Sequence, residues 1–283
     1  MNWTDEMLSD AAFIRRLSDA DWQEAAASSA PVCAMDGRGL EDLDPAITVW
    51  QVACGCPERR VKALPRGAGD GVMETARSFG EALVTIRLFI REAHAARAQD
   101  TAGRILSWAR GGWFTTGDRP GRRIYLSLAG HGGLLSVRDG SALELRLTAA
   151  AFPFWQDARP RRAELSGTGA SGSVFAPGYA ADALVSVRAT ARSAVTRAVF
   201  KAGSTRIELA GLSLTAGQAI VTGWSDDRHI FFIREEQTGR SLLACRTASS
   251  SDELRLPAGK TEKVSVSADG RMDAAFEVRG LYL

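Results

Sequence analysis

Apolar spacing divides the chain into a short front segment of helical period and a long remainder governed by alternation. Thr4 can cap a segment with Asp5 and Glu6 in its first turn, and Met7, Leu8, Ala11, Ile14 and Leu17 follow at helical spacing. Ser18-Asp19-Ala20-Asp21 caps a second short helix through Trp22, which Pro31 ends. Residues 1–30 therefore read as a helical extension. From Val32 the period changes. Ile47, Val49 and Gln51 alternate with Thr48, Trp50 and Val52, and Leu83 to Ile90 is the clearest strand, with Val84, Ile86, Leu88 and Ile90 on one face. Between them, Leu64 to Gly71 reads as an exposed loop, because its glycines and proline break a ladder. One helix is predicted over Ala93 to Arg110, stopped by Gly111-Gly112. Strands at Trp113–Thr116 and Arg123–Leu128 follow, with turns at Gly117–Gly121 and Gly130–Gly133. Leu143, Leu145 and Leu147 then alternate with Glu144, Arg146 and Thr148 before an aromatic exit, Phe152-Pro153-Phe154-Trp155.

Beyond Arg159-Pro160-Arg161-Arg162 short strands recur between turns: Leu184–Val187, Val195–Phe200, Thr205–Leu209, Ala219–Thr222, Ile230–Ile233, Leu242–Cys245, Lys263–Ser267 and Ala274–Arg279. Strands so short and so regularly spaced predict an all-β sandwich or barrel. The expected fold is mainly β with a few helices. Its parts are a helical extension (1–30), a β-rich domain with a helix (31–159) and a C-terminal β-sandwich (160–283).

Composition narrows the function classes. The chain has 283 residues, near the length of two domains at roughly 150 residues each. Its formal net charge of +2 provides no strong field for gathering DNA or an anionic membrane. No apolar run reaches the roughly 18–20 residues of a membrane span, and Met1–Glu6 lacks the basic start and apolar stretch of a signal peptide, so synthesis in a cytoplasm is expected. Cys33, Cys54, Cys56 and Cys245 have neither disulfide-framework nor metal-knuckle spacing, and reduced thiols are expected.

Candidate chemistry is sparse. Gly167-Thr168-Gly169-Ala170-Ser171-Gly172 spells GxGxxG, but Pro177 and Gly178 follow where a helix is required, so it reads as a loop without a dinucleotide. Ser225, Asp227 and His229 crowd into five residues, too close to face one another as a relay. Glu235-Glu236 and Asp252-Glu253 read as solvated faces, and Asp226-Asp227 lacks the spaced acids of a calcium loop. The dispersed doublets Arg59-Arg60, Arg122-Arg123 and Arg161-Arg162 suit salt bridges or solubility. No enzyme, cofactor or metal is expected. Trp224, Tyr179 and Phe231 are the candidates for stacking on a carbohydrate, although such residues are more often core in a sandwich.

The order of the segments from Val32 to Trp155 resembles the N-terminal domain of the siphophage distal tail (Dit) protein family. The matching succession runs through the Asp36-Gly37 turn, Ile47-Thr48-Val49-Trp50, the glycine-rich loop Leu64–Gly71 and the strand entered by Phe79-Gly80-Glu81-Ala82. It continues with Ile105-Leu106-Ser107-Trp108, Trp113-Phe114-Thr115-Thr116 and the turn Asp118-Arg119-Pro120-Gly121. The closing stretch, Leu254–Lys260, Val264-Ser265-Val266 and Phe276–Arg279, is similar to the galectin-like sandwich often fused behind that domain. The resemblance implies a structural protein of the phage tail tip, a homo-hexameric ring that connects the tail tube or terminator protein to the tail hub and a receptor-binding protein. DNA would pass through it unread. Leu83–Ile90 and its neighbours would supply the ring interface. The helical front end departs from the family, which begins almost directly with a strand, and residues 1–30 are expected to pack on a neighbouring subunit or tail protein. The alternative function is a carbohydrate-binding sandwich that contacts the host surface.

Overall fold

The computed structural model describes residues 32–65, 72–92, 94–127, 134–138, 142–225 and 230–283. The expected helical extension, the turn at Gly130–Gly133, the loop residues 66–71 and the cluster Asp226, Asp227 and His229 lie outside the described residues. The strands, in chain order, begin with β1 (Cys33–Met35), β2 (Arg38–Gly39), β3 (Ile47–Cys54), β4 (Arg59–Pro65), β5 (Val72–Phe79) and β6 (Ala82–Ile90). Helix α1 (Ala95–Trp108) precedes β7 (Gly111–Thr116), β8 (Arg122–Ser127), β9 (Leu134–Arg138), β10 (Ala142–Ala151) and β11 (Trp155–Asp157). Then come β12 (Arg161–Gly167), β13 (Ser171–Ala176), β14 (Ala181–Ala191), β15 (Val195–Ala202) and β16 (Thr205–Leu214). The last are β17 (Ala219–Trp224), β18 (Phe231–Glu235), β19 (Arg255–Leu256), β20 (Lys260–Ala268) and β21 (Met272–Tyr282). The protein is mainly β, with one α-helix among the described residues.

In the N-terminal half, β3, β6, β10 and β8 are successive neighbours in one sheet, and β7 carries it on to β1 and β2. Strict alternation places Ala82, Val84, Ile86, Leu88 and Ile90 of β6 inside and turns Leu83 outward. Helix α1 covers the apolar face with Ala98, Ala102, Ile105 and Trp108, spaced for one side of a helix. The alanines let it approach closely, and Trp108 Nε1 donates to the Arg38 carbonyl at 2.9 Å. Asp44 holds the helix from below, accepting from Thr101 Oγ1 at 2.9 Å and pairing with Arg104 at 2.7 Å. The Asp36-Gly37 hairpin turn has both residues at positive φ, the arrangement that suits the twist of a two-residue hairpin.

The C-terminal half is a β-sandwich. The layer β18-β17-β14-β21, extended by β12 and β19, faces the layer β13-β20-β15-β16. Their inner faces share a core that includes Val185, Val187, Phe200, Ile207, Leu209, Val264, Val266, Phe276 and Val278. A single bridging strand then unites the halves. β11 pairs with β8 through Gln156↔Arg123 and with β21 through Trp155↔Tyr282, so one 15-stranded sheet runs through both.

Several expectations require correction. Trp50 is a bulge residue between Val49 and Gln51, so the alternation of β3 changes phase there, with Val49, Val52 and Cys54 packed on the core and Gln51 exposed. Leu64 and Pro65, expected in a loop, end β4 and pair with Met73 and Val72 in a separate two-stranded sheet. Gly111-Gly112, expected as a helix stop, opens β7 at positive φ instead. Leu242–Cys245 is not a strand. Its last three residues form a 3-10 turn, because one buried apolar residue, Leu242, anchors it without alternation. The GxGxxG run makes the crossing from β12 in one layer of the sandwich to β13 in the other. Its Thr168 and Ala170 carbonyls accept from β20 backbone amides, at 3.1 and 3.0 Å.

Candidate functional site

The acid doublets are spent on structure. Glu235, expected in a solvated face, is buried. Its carboxylate accepts from Gln218 Nε2 at 2.8 Å and Thr238 Oγ1 at 3.0 Å, which ties the β16–β17 turn to β18. Glu236 receives a bidentate Arg188, whose hydrogen bonds hold its carboxyl below the usual range. Asp252 pairs with Arg246, and Glu253 with Arg255 at 2.6 Å. Glu208, also buried, accepts from Arg197, Ser249 and Arg206, which hold its carboxyl down at about 2. None of these carboxylates is placed as an acid/base pair facing an open groove. Among the described residues no group of His, Cys, Asp and Glu is arranged to hold a metal ion, and no helix is long and apolar enough to cross a membrane.

The arginine doublets work within the chain. Arg122 lies 3.7 Å from the centre of the Tyr282 ring, Arg123 3.6 Å from that of Trp113, and Arg162 pairs with Glu277 at 2.6 Å. Arg60 meets Glu58 only at an exposed 3.7 Å.

The three aromatic candidates fall in two places. Trp224, on β17, meets Phe231 of β18 edge-on with centroids 5.5 Å apart, and the Arg255 guanidinium lies 4.3 Å over its ring. Phe231 is itself half-buried against the sandwich core. Tyr179 is 66% exposed and meets Tyr282 edge-on at 5.4 Å. The structure joins Trp224 to Phe231 and pairs Tyr179 with a different ring.

The polar centre between the two halves is the part that sequence reasoning missed. Asp157, at the end of β11, accepts from the Gly280 amide at 2.9 Å and from Tyr282 Oη at 3.1 Å. Arg279 Nη1 donates to the carbonyls of Asp157 and Ala158, and Arg119 reaches the Leu283 carbonyl at 3.0 Å. The backbones close in here. A side chain at Gly178, where φ is +103°, would meet the Leu281 amide nitrogen at 2.6 Å. Nothing local in the sequence marks Asp157, since its partners lie more than 120 residues away.

Free edges are the other feature. β6 lies between β3 and β10, so its own backbone is already paired on both sides. The end of this sheet is β3, which among the described residues pairs only with β6. Trp50 stands on it 68% exposed and edge-on to Phe89 at 5.9 Å, with Leu83 exposed one strand away.

No family model matches the sequence, and no curated protein matches it. Among solved structures, the chain is similar to the Dit protein of phage SPP1, described as a paradigm of the hub adsorption apparatus in phages infecting Gram-positive bacteria. The TM-score is 0.60 at 14% identity, covering 88% of this chain and 98% of that one. A chain of the phage P2 baseplate in its activated conformation with Ca is similar at a TM-score of 0.44 and 11% identity, over 83% of this chain and 90% of that one. The two halves, the helix on the first and the bridging strand between them thus make up a distal tail (Dit) protein fold, shared with the SPP1 protein along almost its whole length.

Proposed function

We propose that the chain is a structural protein of a phage tail tip, a homo-hexameric ring that joins the tail tube to the hub and host-recognition apparatus. The observation that carries this reading is the fold shared with SPP1 Dit over nearly all of both chains. Residues 31–159 would form the ring and 160–283 the sandwich, with residues 1–30 packing on a neighbour. The free edge of β3, with Trp50 and Leu83 exposed beside it, supports subunit contact there rather than along β6. Closed rings arise when one heterologous interface repeats until the rotation closes. A net charge of +2 supports free passage of DNA, because a strongly cationic lumen would hold it by counterion release. The work is assembly, not catalysis, and the place is the virion tail.

Native mass measurement with negative-stain imaging of the full chain, alone and with its tail partners, tests this. A six-membered ring is expected, broken into smaller species by Trp50→Lys. A single chain under both conditions overturns the reading. The carbohydrate alternative draws only on the exposure of Tyr179. A cell-wall glycan titration unaffected by Tyr179→Ala would remove it.

A further inference from the structure

A small crevice opens where the two halves meet, with a volume of about 60 Å³. Its polar lining comes from five strands: Arg123 of β8, Gln156 of β11, Ser186 of β14, Trp224 of β17 with Ser225 just beyond it, and Arg279 of β21. Two of these groups are buried donors without an acceptor. Gln156, only 3% exposed, has its Nε2 unsatisfied, and so has the indole Nε1 of Trp224. Buried polar groups are almost always hydrogen-bonded, so two orphaned donors on one cavity point to an acceptor that belongs there. The electrostatics agree on its charge. Two guanidinium groups line the space, and among the described residues no carboxylate does. Asp157, the nearest acid on β11, is occupied by Gly280 and Tyr282.

The geometry points to a binding site for a small oxyanion, of the phosphate or carboxylate type, at the junction of the halves. An oxyanion has lone pairs for both orphaned donors, whereas each water accepting from Gln156 and Trp224 brings two protons that need acceptors of their own. The space suffices, since at ~10–15 Å³ per water it holds about four to six waters, or one tetrahedral anion with water beside it. The bound ion would tie β8 and β11 to β14, β17 and β21, and so fix one half against the other. This inference is independent of the tail-tip reading.

The test uses the full chain with inorganic phosphate as one probe and acetate as the other, against chloride at equal ionic strength. Saturable broadening of the phosphate ³¹P resonance is expected, together with a rise in melting temperature that chloride does not reproduce. A response to acetate without one to phosphate would assign the site to a carboxylate instead. Trp224→Phe keeps a ring in place but removes the indole N–H, and it should weaken binding by about tenfold to a hundredfold, as expected for a hydrogen bond to a charged group. Gln156→Glu, nearly equal in volume, places a negative charge in the crevice and should abolish the response. If one variant does not fold, the other reports. No saturable response to either anion, or a response unchanged in the folded variants, overturns the proposal.

Discussion

At the residue scale, burial and charge pairing set what each side chain can do. Glu208 shows the pH consequence. Its carboxyl sits at about 2 in the folded protein against an ordinary 4.5, mainly through the hydrogen bond from Arg197. The folded state therefore binds fewer protons there than the unfolded chain does. That contribution to stability is complete above about pH 4.5 and is lost as the pH falls towards about 2. Glu208→Gln should flatten the fall of melting temperature across this window, and an unchanged slope would show that the cluster is energetically silent. The thiols give a second prediction. Burial pushes Cys33 up to about 12 and Cys54 up to about 11, whereas Cys56 is exposed. Alkylation at pH 8 followed by mass spectrometry should mark Cys56 first and reach Cys33 only after unfolding. Gly178→Ala, which forces a side chain against the Leu281 backbone at positive φ, should cost at least about 2 kcal/mol in denaturant titration.

At the scale of elements, alternation was a good guide wherever one face is buried and the other wet. β6 and β10 follow from their apolar residues alone, and α1 differs from the predicted helix by about two residues at each end. It failed where neither face commits. Arg59–Lys62 of β4 are all exposed, and β12 and β13 bury few residues, so little period is left to read. It also failed at Trp50, since a single inserted residue reverses the phase of everything beyond it. The candidate site was less legible than the fold. Edge status and the partners of Asp157 depend on pairings between distant segments, and local spacing carries no record of those. The attachment of α1 is testable at this scale. Trp108→Phe keeps most of the buried ring but leaves the Arg38 carbonyl without its donor, at a cost of about 1–3 kcal/mol. Faster amide exchange confined to α1 and β2 would locate the loss, and exchange unchanged there would refute the attachment.

At the scale of the whole molecule, two cores share one sheet through a strand of three residues. Tyr282 belongs to the N-terminal core although it ends the last strand of the sandwich. Unfolding should therefore show one calorimetric transition. Asp157→Ala leaves the Gly280 amide and the Tyr282 hydroxyl without their acceptor, at a cost of about 2–4 kcal/mol, and should separate that transition into two. A variant that still melts in one step would place the coupling elsewhere. The same stitch has a meaning in time. Asp157 and Tyr282 are 125 residues apart, so at a synthesis rate of about 5–20 residues per second the first half waits roughly 6–25 s for the strand that completes it. Until then its core lacks a member and the edge of β11 that β21 will cover lies open on the ribosome. A chain wired in this way completes its N-terminal core only after the last strand of the sandwich has been translated, so the order of the sequence itself delays the closing of the first half until the second has been made.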